Sequence, residues 1–472
     1  MLFLRSRLID LWDRMRSSYW FVPSIMFAGA VAAALLMVSL DLHLSRTDAT
    51  GRGLWFPKFG ADASRSILST IASGMLTVTG VVFSLTIVAL QLASSQFGPR
   101  LLRTFMTSRG TQVVLGTFLS SFIFCLLVIG SVRSDLGFVP QLSTAAGIML
   151  GVLNIAVLIY FIHHLATSIR IESLLATVSG ELREVIDKLF PSQMGEEPPQ
   201  RAKVDPSVSR ASFDAIPPAG HVCAAGAGYV RHIDSDMLMS AAQEHDLVMR
   251  IEQQPGAFVV EGTPLLSVWI EEEIPDDLEG RLRASFVLGQ NRTTMQDVNF
   301  AISQLVEVAL RALSPGINDP FTAIECTNRL GEALCTVARR PRPSSDRYDT
   351  EERLRIIVEP MHLKAMTHTA FDPIARAGGS NGDVATRMLE TILIVATCCR
   401  HRDDRRFLLQ FARELEEQVQ GQLPLERDRR AVAERFQTAL ETMRRGCPSE
   451  SLLDESPLQA PQEGTVAAGE GA

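Results

Sequence analysis

The sequence predicts an α-helical membrane protein, with four N-terminal transmembrane helices followed by a cytoplasmic α+β region. Three observations support this class. Four apolar stretches precede residue 170, and each has the roughly 20 residues that a helix needs to cross a hydrocarbon core of about 30 Å. Charged residues become dense after that point. The pattern then changes to short strands between Gly and Pro turns, and later to amphipathic helices.

The predicted spans cover residues 21–40, 67–93, 112–131 and 142–161. A cleaved signal peptide would have a shorter apolar core and would not precede three further spans. Arginines precede the first span, lie between the second and third, and follow the fourth, and the bias to this side is modest because the segment between the first two spans is also basic, with Arg46, Arg52, Lys58 and Arg65. The positive-inside rule therefore predicts a multi-pass membrane protein with both termini in the cytoplasm.

No Asp, Glu, Lys or Arg lies within those four spans. A proton- or ion-coupled pump usually places at least one such residue in the membrane. The pattern therefore argues against an active transporter and favours a passive pore or a scaffold. Asn154 is the strongly polar residue deep in the fourth span, and an interhelical hydrogen bond is the role we expect for it.

Small and polar residues recur along the second span at steps of three, four or seven, which keeps them on one face of a helix. They are Ser69, Ser73, Thr77, Gly80, Ser84, Gln91 and Ser95. Two interpretations of this polar stripe remain open. It is a packing seam, which we favour within a single chain because small residues let membrane helices approach closely, or it lines a pore in a homo-oligomer.

An interfacial helix is predicted over residues 99–109, after the Gly98–Pro99 step ends the second span. Apolar residues share one side of this segment and basic residues the other. Arg100, Arg103 and Arg109 are therefore expected to contact lipid headgroups.

The predicted domain organisation follows from these patterns and from shifts in composition. It comprises a membrane domain (1–170), a helical extension of the fourth span (171–190), a linker (191–218), a small β module (219–275), a helical domain (280–445) and a disordered tail (446–472).

The β module has the spacing Gly256-x-x-Val259-x-x-Gly262-x-x-Leu265, which resembles barrel-sandwich domains of the biotinyl and lipoyl type. Glycines would occupy turns with positive φ, and Val259 and Leu265 would face the core. No lysine lies between residues 203 and 364, so the module cannot carry covalent biotin or lipoate. An adaptor or an oligomer contact is the expected role.

In the helical domain, Thr294 and Asp297 resemble a capping box, and Glu307 and Arg311 are a favourable i,i+4 pair.

The segment SPGINDP then breaks the helical pattern. Asp319 followed by Pro320 predicts the start of the next helix. Asn318 and Asp319 are alternatively the polar groups of a ligand loop, although capping alone explains them.

No motif of an enzyme is present: there is no GxSxG, Walker loop or HExxH sequence. The seven cysteines form no CxxC pair and suit free thiols in a reducing compartment. The net charge of −8 gives no basic face for nucleic acid. We therefore expect a protein that is not an enzyme and that has no metal, no cofactor and no nucleic-acid partner.

Three motifs carry a resemblance to a known family: GVVFSLTIVALQLASSQFGPRLLRTF, RGTQVVLGTF and RALSPGINDPFTA. They resemble the bacterial membrane-protein family called domain of unknown function 2254, from about residue 8 to residue 445. The resemblance implies four N-terminal spans and a cytoplasmic remainder, and with them a multi-pass protein of the bacterial cytoplasmic (inner) membrane. It brings no catalytic residues.

Two hypotheses of function follow. The first is an oligomeric passive ion or solute channel, with the second span lining the path and the cytoplasmic domain gating it. The alternative is a non-conducting, membrane-anchored scaffold or ligand- or partner-binding protein. The lipid bilayer and further copies of the chain are the partners expected on either hypothesis.

Overall fold

The computed structural model describes residues 20–47, 59–97, 109–133, 138–168, 170–190, 213, 215–270 and 273–446. The predicted interfacial helix apart from its last residue, most of the predicted linker and nearly all of the predicted tail lie outside these ranges.

Four N-terminal helices are long and apolar enough to cross a bilayer, which confirms the predicted number of spans. They are α1 (Phe21–Thr47), α2 (Ala61–Phe97), α3 (Arg109–Ser131) and α4 (Gln141–Ser168). The third helix packs against each of the other three and forms the centre of the bundle. Each helix is longer than the span predicted from hydropathy, because the helices continue into polar sequence at their ends.

Hydrogen bonds close the end of the bundle at which α1 ends and α4 begins. Both carboxylate oxygens of Asp41 accept from backbone N–H groups, those of Leu142 at 3.0 Å and Ser143 at 2.9 Å. The hydroxyl of Ser143 donates to the same carboxylate at 2.6 Å. Arg65 donates to the carbonyl oxygen of Val132 at 2.7 Å. These charged residues lie just beyond the predicted spans and serve as caps.

The fourth span does not continue unbroken into the next helix, contrary to expectation. Arg170 is extended, with φ −70° and ψ 134°, and a separate helix α5 (Ile171–Leu189) begins after it. The break lets α5 turn its apolar face, which includes Leu174, Val178 and Leu182, into the core of the following region. The break between α4 and α5 is therefore explained by the burial of this apolar face of α5.

Two sheets follow in the chain, with the strand orders β1-β5-β3-β8-β7 and β4-β2-β6. Strands β3 and β8 pair in parallel, and the other pairs are antiparallel. The strands are β1 (Gly220–Cys223), β2 (Gly228–Ile233), β3 (Val248–Ile251), β4 (Phe258–Val259), β5 (Pro264–Trp269), β6 (Phe286–Gly289), β7 (Asp346–Tyr348) and β8 (Leu354–Val358).

This topology does not confirm a barrel-sandwich module that closes at residue 275. Three strands come from beyond that residue, and helices α6 (Ser235–Glu244) and α7 (Asp276–Ala284) pack with the sheets. The local turn chemistry was predicted correctly. Gly256 and Gly262 have φ of +91° and +83°, and Val259 and Leu265 are each 1% exposed.

The helical part of the α+β region surrounds one large apolar core that also includes the buried face of α5. Its helices are α8 (Val298–Ala312), α9 (Pro320–Arg339), α10 (Leu363–Gly378), α11 (Gly382–Cys398), α12 (Arg402–Gln422) and α13 (Glu426–Gly446). The predicted ion pair between Glu307 and Arg311 is present at 3.6 Å.

The predicted capping box at Thr294 is corrected. Asp297 itself is the N-cap of α8, and its carboxylate accepts from the N–H of Phe300 at 2.9 Å. Asp297 also pairs with Arg292 at 2.7 Å. Helix α8 therefore begins at Val298, and Asp297 occupies the N-cap position that the sequence pattern predicted for Thr294.

Candidate functional site

The polar stripe of α2 faces away from the other spans. Its members within the described side chains, Ser69 to Gln91, are all exposed. Apart from the nearby backbone of α2 itself, no heavy atom of the described residues lies within 4 Å of the place where a Cβ on Gly80 would stand. The buried face of α2 is nearly opposite and includes Leu68, Ala72 and Val82. Within the described residues, no other helix of the bundle covers the stripe. The two interpretations, a packing seam and a pore lining, therefore stay predictions, and Ser95 lies outside the described side chains.

The hydroxyl groups of the stripe are partly satisfied by their own helix. Ser73 donates to the carbonyl oxygen of Thr70 at 3.1 Å, and Thr77 donates to that of Ser73 at 3.0 Å. Such bonds lower the cost of facing lipid. Because these hydroxyls donate within α2, their oxygen atoms can still accept hydrogen bonds from outside the helix. The stripe therefore presents small side chains and hydrogen-bond acceptors to a neighbouring molecule.

Inside the bundle, Asn154 is 1% exposed, and neither atom of its amide has a hydrogen-bond partner among the described residues. The predicted interhelical hydrogen bond is therefore not present. The hydroxyls of Thr79 and Ser121 are also buried, and they donate to carbonyl oxygens of their own helices at 2.6 and 2.8 Å. The bundle is thus apolar in its two main clusters and polar at a few positions between them.

Of the three arginines predicted at lipid headgroups, the structure describes Arg109, which is exposed at the start of α3. Arg100 and Arg103 lie outside the described residues. Next to Arg109, the absence of a side chain at Gly110 lets α3 approach α4, since a Cβ there would stand 2.6 Å from Nε2 of His164. The ring of His164 stacks on Tyr160 with a centroid distance of 5.6 Å.

The SPGINDP loop places Asp319 at the N-cap of α9, with Asn318 directly before it. The carboxylate of Asp319 accepts from the N–H of Thr322 at 3.2 Å and from its hydroxyl at 2.6 Å, and Pro320 is the first residue of α9. Asn318 has φ +51° and donates its N–H to Ser314. The capping interpretation accounts for Asp319, and only the exposed side chain of Asn318 is left for a ligand.

A groove of about 670 Å³ lies between α11 and α13. It is lined by Glu390, Leu393, Ile394, Thr397, Arg435, Thr438, Ala439, Thr442 and Met443. An apolar floor with a few hydroxyls and one charge of each sign suits a small amphipathic ligand or a helix. Sequence analysis missed this groove because its two walls are distant in the chain and share no motif.

Arg355 in the larger sheet forms a buried ion pair with Asp349 and a second ion pair with the exposed carboxylate of Asp246, in the turn before β3. Arg355 is 5% exposed and lies 2.7 Å from both Asp349 and Asp246. Burial disfavours ionisation of Asp349, but hydrogen bonds from Arg355 and from nearby backbone N–H groups outweigh it and lower the pKa of this carboxyl. The hydrogen bond from Arg355 is the main cause of the lowered pKa of Asp246. Asp246 has φ +48°, so the pair also fixes a tight turn.

Among the described residues, no group of three or more His, Cys, Asp or Glu side chains could hold a metal ion. Burial raises the pKa of the Cys399 thiol to about 12, which keeps it protonated at neutral pH and makes it a poor nucleophile.

The four apolar helices and the large α+β region after them define a polytopic membrane protein with a substantial extramembrane part. The chain belongs to the family described as predicted membrane protein, DUF2254, whose sequence profile matches residues 16–393.

Uncharacterized proteins of Mycobacterium bovis and of two strains of Mycobacterium tuberculosis are similar to it. Each is 29% identical over 394 residues, which cover 82% of this chain and 73% of the relative. No solved structure matches the chain.

Proposed function

We propose that the protein is an oligomeric passive channel for ions or small solutes in a bacterial cytoplasmic membrane. In this proposal the α2 helices of several copies line the path. The α+β region and both termini lie in the cytoplasm, and this region gates the path. The observation that supports it is the exposure of the polar stripe on the face of α2 that the rest of the bundle leaves uncovered.

Lipid gives such a face no partner for its hydrogen-bonding groups, whereas a second copy or a column of water does. Small residues also allow helices to approach closely. The stripe therefore favours assembly through α2, with Ser84 and Gln91 directed towards the assembly axis.

Two further contacts agree with a passive, gated path. Two charged residues at the far end of the bundle have structural partners, since Asp41 caps α4 and Arg65 binds the carbonyl of Val132. Neither is therefore proposed as a coupling charge of the path. On the other side, α8 contacts α2, so a displacement of the α+β region would act directly on the proposed lining helix.

Conductance of the purified protein in planar bilayers tests the proposal. We expect single-channel currents that a thiol-reactive cation reduces in Ser84→Cys but not in Leu85→Cys. Leu85 is also exposed but lies off the stripe, about 100° around the helix from Ser84. Currents absent across voltage, tension and pH would contradict the proposal, and so would equal inhibition of both variants.

The groove between α11 and α13 favours a second candidate function, a non-conducting, membrane-anchored binding protein. Oxidative cross-linking separates the two proposals. Ser84→Cys should form disulfide-linked dimers under conditions where Leu85→Cys does not if the stripes meet. Absence of both dimers and current would favour the binding protein.

A further inference from the structure

Large apolar side chains are exposed where α8 turns into α9. Phe321 is 80% exposed and Ile317 is 47% exposed. Leu425, just before α13, is 52% exposed. Single exposed apolar residues are common on soluble surfaces, so their position relative to the membrane decides what they signify.

These three residues lie at the same end of the helical bundle. A Cβ on Gly378, at the end of α10, would stand 2.8 Å from Leu313 in the α8–α9 loop. A Cβ on Gly379 would stand 2.1 Å from Gln422, at the end of α12. The connections after α8, α10 and α12 are therefore neighbours.

The opposite end of the bundle is defined by Arg340, which follows α9. Its guanidinium donates to the carbonyl oxygen of Ile186 at 3.0 Å, to that of Phe190, and to the carboxylate of Asp187. These three acceptors belong to the last turn of α5 or follow it. The C-terminal ends of α5 and α9 are thus fastened together.

The direction of α5 then places the exposed loop beside the membrane. Helices α5 and α9 pack side by side and have 19 and 20 residues, so each is about 30 Å long. With their C-terminal ends joined, their N-terminal ends lie together. The helix α5 begins immediately after α4 leaves the bundle, and α8 contacts α2. Ile317 in the α8–α9 loop and Phe321 in the first turn of α9 therefore lie at the level where α4 ends.

We propose that this end of the helical domain docks on the adjacent leaflet of the bilayer, with Phe321, Ile317 and Leu425 as the side chains that enter the lipid interface. Aromatic and aliphatic side chains favour that zone when neighbouring polar groups remain hydrated. The side chains of Arg427 and Arg430 are 84% and 73% exposed, and each also lies 3.3 Å from an acidic neighbour, Asp428 and Glu426 respectively. The two arginines lie beside Leu425, where anionic headgroups would attract them.

This inference does not depend on conduction, because a scaffold with the same fold would dock in the same way. It also differs from anchoring by the four spans, since it assigns a second, peripheral membrane contact to the extramembrane region. The occupant is lipid because the exposed side chains lie next to the spans, where the bilayer is the nearest surface.

Photo-cross-linking in proteoliposomes of phosphatidylethanolamine and phosphatidylglycerol tests it. Benzoylphenylalanine replaces Phe321 in the full-length protein, and mass spectrometry identifies the adducts. The matched control replaces Phe258, which is 59% exposed. It lies near Gly256, which contacts Asp297 at the beginning of α8, about 22 Å along that helix from the loop. Both sites are exposed, so both variants should fold, which size-exclusion chromatography would verify.

We expect phospholipid adducts at position 321 at least about tenfold above those at position 258, in line with an interfacial contact that excludes the distal site. The same probe at Leu425 should behave as at Phe321. Adducts at 321 that contain only peptides of a second copy would overturn the proposal in favour of a protein interface. Absence of lipid adducts at 321, or equal yields at 321 and 258, would also overturn it.

Discussion

The membrane bundle and the helical domain cap their helices in different ways. In the helical domain, α8, α9 and α11 are each capped by the residue immediately before them, Asp297, Asp319 and Asn381. In the bundle, α4 is capped by Asp41, about 100 residues earlier in the chain. A local cap stabilises its own helix, whereas the Asp41 cap also fixes α1 against α4.

Buried polar groups differ in whether they have a partner. Arg355 in the larger sheet pairs with two carboxylates, whereas the amide of Asn154 in the bundle and the hydroxyl of Thr391 in the helical domain have no hydrogen-bond partner among the described residues. Replacement of individual residues should therefore have effects that depend on the contacts each residue makes. The following predictions run from the largest expected effect to the smallest.

Replacement of Arg355 by Leu should be the most damaging, because it leaves the buried carboxylate of Asp349 without its partner. We expect a loss of about 3–5 kcal/mol in the free energy of unfolding of the α+β region. Chemical denaturation followed by the fluorescence of Trp269 in β5 would measure it. Arg353→Leu is the control, since the side chain of Arg353 is 58% exposed; equal losses would contradict a special role for Arg355.

Replacement of Asp41 by Ala should destabilise the bundle by about 2–4 kcal/mol, because it leaves two backbone N–H groups and a hydroxyl without an acceptor. Thermal unfolding in detergent, followed by helical circular dichroism, would show a lower midpoint. Asp62→Ala provides the comparison, since Asp62 is exposed in the first turn of α2. A midpoint unchanged by Asp41→Ala would show that the remote cap adds nothing.

Replacement of Asp319 by Ala should cost about 1 kcal/mol, the usual value of an N-cap. Asp319→Asn keeps an acceptor and should restore most of that loss. Measuring both by denaturant titration separates capping from ligand binding. Full loss in Asp319→Asn would contradict a purely capping role.

The smallest expected effect is the change with pH in the free energy of unfolding, measured near neutral pH. The pKa values of Asp246 and Asp349 are lowered in the folded protein. Their contribution is therefore present above the unfolded pKa of about 4 and is lost as the pH falls through the lower folded values. Acid titration should show this loss, and Arg355→Leu should flatten it. A loss of stability centred above pH 6 would point to other groups.

The contrast between local and remote contacts also explains which features could be predicted from the sequence. Hydropathy predicted four spans, and local chemistry predicted the cap at Asp319 and the positive φ of Gly256 and Gly262, because each depends on neighbours within a few residues. The remote cap at Asp41, the strands after residue 345 and the groove between α11 and α13 depend on tertiary contacts. The helical period placed the stripe on one face, but the direction of that face depends on packing of the whole bundle.

The clamp formed by Arg340 has a mechanical consequence. Helix α5 begins directly after the extended residue Arg170, and its other end is bound by Arg340, which follows α9. It therefore connects the end of α4 to the far end of the helical domain. We expect a tilt of α4 to displace the far end of the helical domain, since α5 extends about 28 Å from Arg170 to that end. Breaking the clamp would leave both helices folded but would uncouple their motions.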